Sequence, residues 1–170
     1  MSAAYRGRTE AGWADREHVP APARGRPRLY GRGMSHAYVL RPVGRVESPL
    51  TDPAAAPKMG DEGAPAAWLV FDDEVGDAVR DLEAGDEVLV LTWLHRARRD
   101  VLRVHPRGDP ANPERGVFST RSPHRPNPIG LHRVTVLTVE GTRVRVEPLE
   151  AIDGTPVLDV KSLRPGSPEY

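Results

Sequence analysis

Between Gly116 and Leu131 the chain carries Pro123, Pro126 and Pro128 with Arg121, His124, Arg125 and Asn127 threaded among them. No other stretch restricts the fold so strongly. Each proline lacks an amide donor, so neither a core strand nor a helix can contain all three. The segment is therefore expected to be a stiff, largely extended loop. Such a loop loses little entropy when a ligand orders it. That makes it a good mount for Arg121 and Arg125, whose planar guanidinium forks match carboxylates and phosphates.

The chain has 170 residues, enough for one domain with an appendage. Residues 1–33 hold seven Arg against Glu10, Asp15 and Glu17. Taking these from the 24 residues of each sign leaves 17 basic and 21 acidic positions, a balance of −4 for the rest. A net acidic body is not the footprint of a strong nucleic-acid binder, although net charge is silent on distribution. Residues 1–34, rich in Ala, Arg, Gly and Pro without apolar periodicity, are expected to form a disordered leader, with Met34 a candidate natural start. With no cysteine there is no disulfide, thiolate zinc site or cysteine nucleophile. The apolar run Val88–Leu94 is too short for a membrane span and the leader lacks a secretory apolar region, so the cytoplasm is expected. His18, His36, His95, His105, His124 and His132 show no ligand spacing, and no metal is expected.

Short alternating segments fill residues 38–165, the expected folded domain. Tyr38–Glu47 reads as an edge or barrel strand, and Ala66–Phe71 as a short strand. Asp72 reads as the N-cap of a helix carrying Val75, Val79 and Leu82 on one face and stopping at Gly85. Glu87–His95 is apolar on both faces and reads as a doubly buried strand. Val101–Val104 is a further strand. Arg133–Val139 and Arg143–Glu147 form a hairpin about Gly141, and Val157–Val160 is the last strand. The sum is an all-β fold: a small closed β-barrel of short strands with one inserted helix.

Three ordered blocks carry a resemblance: Arg41-Pro42-Val43-Gly44-Arg45-Val46-Glu47-Ser48-Pro49, the proline-rich run, and Asp153-Gly154-Thr155-Pro156-Val157-Leu158-Asp159-Val160-Lys161. Together they resemble the TsaA-like family of TrmO-type methyltransferases. The resemblance implies a β-barrel enzyme that uses S-adenosylmethionine and acts as a homodimer. It implies N6-methylation of threonylcarbamoyladenosine 37 beside the tRNA anticodon, so tRNA is the implied partner.

Cofactor residues follow by position. The resemblance puts Arg121 of Thr120-Arg121-Ser122 in the cofactor pocket. His95-Arg96 stands where the family has His-Gln, and Pro57-Lys58-Met59 where it has Pro-Arg-Gln. Leu149, Glu150, Ala151, Ile152 and Asp153 match a Leu-Asp-x-x-Asp block, with Glu150 one methylene longer than the family aspartate. Leu131 is an apolar wall. His124, Arg125 and Asn127 are candidate substrate contacts. Read without the family, Arg121 is a loop arginine paired with an acid, Arg125 and Asn127 cap loop carbonyls, His95 is a structural strand-end residue, Leu131 is core, and Asp153-Gly154 is a turn with an Asx-type bond. Asp159 and Lys161 read as structural. The catalytic base stays open among His95, Asp153 and water.

The bacterial prototype carries a C-terminal domain after its barrel, whereas this chain ends at Tyr170. Two alternatives to tRNA methylation are therefore kept: a methyltransferase for a small molecule or another nucleoside, and a non-catalytic barrel that binds cofactor or nucleic acid.

Overall fold

Valine alternating with charged residues builds the sheet. A computed structural model describes residues 38–163; the leader and the candidate start Met34 lie outside the described residues. The strands are β1 (Gly44–Glu47), β2 (Ala67–Phe71), β3 (Glu87–Trp93), β4 (Arg103–Val104), β5 (Arg115–Gly116), β6 (Ile129–Glu140), β7 (Arg143–Glu147) and β8 (Pro156–Ser162), with one short helix, α1 (Gly76–Val79). Six strands close on themselves in the order β1-β2-β7-β6-β3-β8, all neighbours antiparallel. The fold is mainly β with one short helix, as expected. β4 and β5 form a separate ribbon.

The ring interior is a stack of small branched side chains. Val46 faces Leu69 across β1 and β2, Leu69 faces Val144, Val88 faces Val134, and Val136 faces Val146. All of these are buried, and Leu149 and Val157 join them. Their alternates, such as Arg133 in β6 and Arg145 and Glu147 in β7, point to solvent. Each buried Val or Leu stabilises the fold by about 1.5–3 kcal/mol relative to exposure.

Several boundaries differ from the sequence reading. β1 starts only at Gly44, because Pro42 offers no amide, and Tyr38, Val39 and Leu40 are exposed. The expected helix shrinks to a 3-10 turn (Asp73–Val75) followed by the four residues of α1, and the Asp72 side chain makes no capping bond. Gly76 sits where continuation is needed and weakens a helix by about 1 kcal/mol. The apolar face survives: Val79 is buried, with Val75 and Leu82 packed beside it. Gly85 turns with φ 98° and donates its amide to Val136 O. β3 ends at Trp93, where the Leu94 amide turns to Pro128 O. Its outer face is less buried than expected, with Leu91 and Trp93 half-buried. Only two residues of the expected Val101–Val104 strand pair.

The proline-rich run is neither extended nor all loop. Val117–Ser119 is a 3-10 turn, Pro123 and Arg125–Asn127 bend, and Ile129 onward is already β6. The hairpin turn sits at Gly141, φ 60°, as expected.

Gly44 and Gly116 differ sharply in their surroundings. A Cβ on Gly44 would overlap Val70 O and lie 2.8 Å from Phe71 Cα, whereas one on Gly116 meets nothing within 4 Å. Urea melts should show Gly44→Ala losing about 1–3 kcal/mol through forced strand separation, with Gly116→Ala within about 1 kcal/mol of the parent. Leu69→Ala, opening a hole in the valine stack, should cost about 2–5 kcal/mol in the same assay.

Candidate functional site

Inward positions of β6 run Gly130, His132, Val134, Val136, all buried. An imidazole in that valine row needs partners, because a buried polar group without them costs about 1–3 kcal/mol. His132 Nε2 lies 2.8 Å from Thr92 Oγ1 of β3. Glu150 Oε1, in the segment after β7, lies 2.8 Å from Nδ1. Nδ1 makes no well-aligned hydrogen bond, so this second contact is one of charge and proximity. A Cβ on Gly130 would overlap the Thr92 hydroxyl and lie 2.6 Å from His132 Nε2. Glycine at 130 is what leaves room for the pair.

Glu150 also lines a cleft of about 440 Å³ on the outer side of the ring. Met59, Gly60 and Asp61 close it from one side, Leu89, Leu131 and Arg133 from the β3–β6 sheet, and Arg121 from the proline-rich loop. Its size falls within the range of small-ligand sites. Burial alone would push the Glu150 carboxyl up. The close His132 imidazole, helped by the positive charge of Arg121, outweighs that and holds it below the usual carboxylate range. Glu150 is therefore an ionised acid at neutral pH. Arg121 Nη2 donates to Leu131 O at 3.1 Å, which fixes its stem against the sheet. The cleft thus combines one acid, an arginine and apolar walls, a set suited to a ligand with both a cationic and an anionic end.

Of the residues expected at the cofactor, Met59, Arg121, Leu131 and Glu150 meet in this cleft. The others lie elsewhere. Leu149 and Ala151 are buried in the core on either side of Glu150. Pro57 is half-buried, and Lys58 turns away, its Nζ donating to Arg107 O. Ile152 O accepts from Thr155 Oγ1 at 2.7 Å, closing the turn at Gly154. Asp153 does not make the expected Asx-type bond; its Oδ1 accepts the Ser48 amide at 3.1 Å. His95 is exposed beyond the end of β3; partial burial, then the charge of Arg96, lowers its pKa. Arg96 donates to Thr51 O at 3.2 Å.

The remaining loop residues hold the loop itself. Arg125 donates to Ser122 O at 2.8 Å and to Val117 O at 3.2 Å, and also reaches Thr120 O. This carbonyl capping knots the loop that carries Arg121. His124 Nδ1 accepts the Arg98 amide at 3.1 Å, and Asn127 O accepts the Ile129 amide. Asp159 pairs with Lys161 at 2.7 Å.

Sequence reading missed His132, although a histidine on the inward phase of an alternating strand is a visible signal. It also missed a second groove, of about 580 Å³, on the outer side of β1, β2 and β7. Arg45, Trp68, Arg145, Ser48 and Asp153 line it. Arg143 stacks over Trp68 at 5.1 Å, and Glu47 pairs with Arg45 and Arg143 at 2.8 Å each. Among the described residues no group of three or more metal-ligating side chains occurs, and no helix is long and apolar enough to cross a membrane.

Known proteins resemble this chain over most of its described length. An S-adenosyl-L-methionine-binding protein of Archaeoglobus fulgidus is 43% identical over 127 residues, which span 75% of this chain and 90% of the relative. A probable S-adenosyl-L-methionine-binding protein of Methanothermobacter thermautotrophicus is 47% identical over 122 residues, spanning 72% and 87%. The crystal structure of TrmO from Pseudomonas aeruginosa matches with a TM-score of 0.62 at 27% identity, covering 79% of this chain but 60% of that one. The family model described as the tRNA-methyltransferase O N-terminal domain matches residues 45–167, and the chain belongs to that family.

Proposed function

We propose that this protein is an S-adenosylmethionine-dependent methyltransferase whose cofactor occupies the cleft between Arg121 and Glu150, and whose acceptor is N6 of threonylcarbamoyladenosine 37 in tRNA. The observation that carries this reading is convergence: Met59, Arg121, Leu131 and Glu150 come from separate segments and line one cavity. Family membership and the S-adenosylmethionine-binding relatives supply its chemical identity.

When bound, S-adenosylmethionine supplies an already activated methyl group. The residues of the chain have to bind, align and exclude water. Arg121 offers a charge-assisted donor to the carboxylate end. Glu150 offers an ionised acceptor for hydroxyl or amino hydrogens. Leu89, Leu131 and Met59 supply the apolar wall. Of the groups considered as a base, neither His95 nor Asp153 lines the cleft; Asp153 lies in the second groove.

The RNA acceptor draws support from the outer face of β1, β2 and β7. Arg45, Arg143 and Arg145 stand around Trp68 there, the mix of cations and an aromatic plane that nucleic-acid surfaces use. A small-molecule acceptor is the second reading, favoured by the −4 balance beyond the leader. A homodimer and a cytoplasmic setting belong to the same proposal.

Calorimetry with S-adenosylhomocysteine should show Arg121→Ala weakening binding by roughly 10- to 100-fold, the loss of a charged hydrogen bond of about 1.5–3 kcal/mol. An unchanged affinity contradicts the cofactor assignment. Incubation with methyl-labelled S-adenosylmethionine and bulk tRNA from a strain lacking this modification should place label in adenosine. Arg145→Glu should weaken RNA binding and lower its salt slope by about one or more phosphates while leaving cofactor affinity intact. Cofactor binding without RNA labelling selects the small-molecule reading.

A further inference from the structure

Thr92, His132 and Glu150 form a row of hydroxyl, imidazole and carboxylate with 2.8 Å steps. The same three group types make a nucleophile in acyl-transfer enzymes. Here the hydroxyl end is sealed. Thr92 is 0% exposed, the His132 side chain 4% and the Glu150 side chain 17%. His132 and Glu150 both line the cleft, and the carboxylate is the more open of the two. The row therefore operates from the inside outward: the buried hydroxyl and imidazole act on the acid that faces the cleft.

We propose that His132 is a positioning residue that holds Glu150 for the cleft ligand, with Thr92 locking the imidazole from behind. This rests on reading the cleft as the S-adenosylmethionine site. Three independent features of the chain converge on it. Gly130 is bare where any side chain would collide with the Thr92–His132 contact. Glu150, rather than a shorter acid, spans the distance from the loop to Nδ1. A Cβ on Gly60 would lie at ordinary contact distance, 3.5 Å, from Glu150 Oε2, so the second carboxylate oxygen is turned toward the Gly60 wall of the cleft while the first faces the histidine.

The division of labour is chemical. Oε1 faces His132 Nδ1 at 2.8 Å, and Oε2 is offered to an N–H or O–H of the ligand. The Thr92 hydroxyl donates or accepts as required, so it accommodates either imidazole protonation state. Groups facing His132 from its neighbours are Thr92 on β3 and Glu150 on the loop, with Arg121 acting on Glu150 from the far side.

Two measurements on the full-length protein test this. Nitrogen-15 NMR of the imidazoles, without ligand, should find the proton of His132 on Nδ1 in the parent and lost from Nδ1 in Glu150→Ala. The same protonation pattern in both proteins overturns the pairing. Calorimetry with S-adenosylhomocysteine on His132→Gln, Glu150→Asp and the double variant supplies the second arm. Each single change should weaken binding about tenfold, and the double variant should bind no worse than Glu150→Asp alone. Losses that multiply in the double variant overturn positioning through Glu150, since a purely structural histidine acts independently of residue 150. A parent that binds no S-adenosylhomocysteine removes the cleft reading and the ligand half of the proposal, while the imidazole spectra still decide the pairing.

Discussion

The register between β3 and β6 is the constraint on which the site depends. Seven consecutive pairs run from Glu87 opposite Thr135 to Trp93 opposite Ile129. Side chains alternate faces, so a slip of one residue would carry His132 to the outside and Leu131 into the core. The observed register does the reverse. It buries His132 beside Thr92 and leaves Leu131 and Arg133 on the outer surface as one wall of the cleft. What pins the register is the burial of Val88 against Val134 and of the Val90–His132 pair, together with the close side-chain contacts around Gly130.

Ring closure adds the second constraint. With β8 paired to both β1 and β3, the ring strands find neighbours on both sides and the valine interior is sealed. Function is then confined to outer surfaces and loops. One surface, over β3 and β6, is deepened into a cleft by the turn at Gly60 and by the knotted loop that carries Arg121. The other, over β1, β2 and β7, stays broad and arginine-rich. Arg125 shows how the loop is stabilised: its guanidinium spends its donors on three carbonyls of its own segment. The neighbouring Arg121, with a single such bond in its own loop's vicinity, keeps donors for a ligand.

Much of this was legible in the residues. Alternation of valine with charge marked the strands, Gly141 marked the hairpin, and the motif blocks led to Arg121 and Glu150. Boundaries were less legible, because Pro42, Gly76 and Pro128 act through donors and turns whose partners lie far along the chain. The proline-rich run was misread as extended, since proline fixes its own φ but does not determine which carbonyls an arginine will gather. The motif residues also do not all face the same cleft. Leu149 and Ala151 flank Glu150 in sequence, yet alternation sends them into the core, and Asp153 is turned by the Gly154 bend toward Ser48 and the second groove. His132 escaped notice because spacing rules look for histidines that meet other ligands, and this one meets a threonine and a glutamate from distant strands and loops.

The proposed cofactor site is the one cleft built on the β3–β6 register. Titrating S-adenosylhomocysteine into nitrogen-15-labelled protein and following the backbone amides tests it directly. The largest shifts are expected to cluster at residues 59–61, Arg121, Leu131–Thr135 and Glu150. Shifts centred on Arg45, Trp68, Arg145 and Asp153, with the cleft amides unmoved, would contradict it.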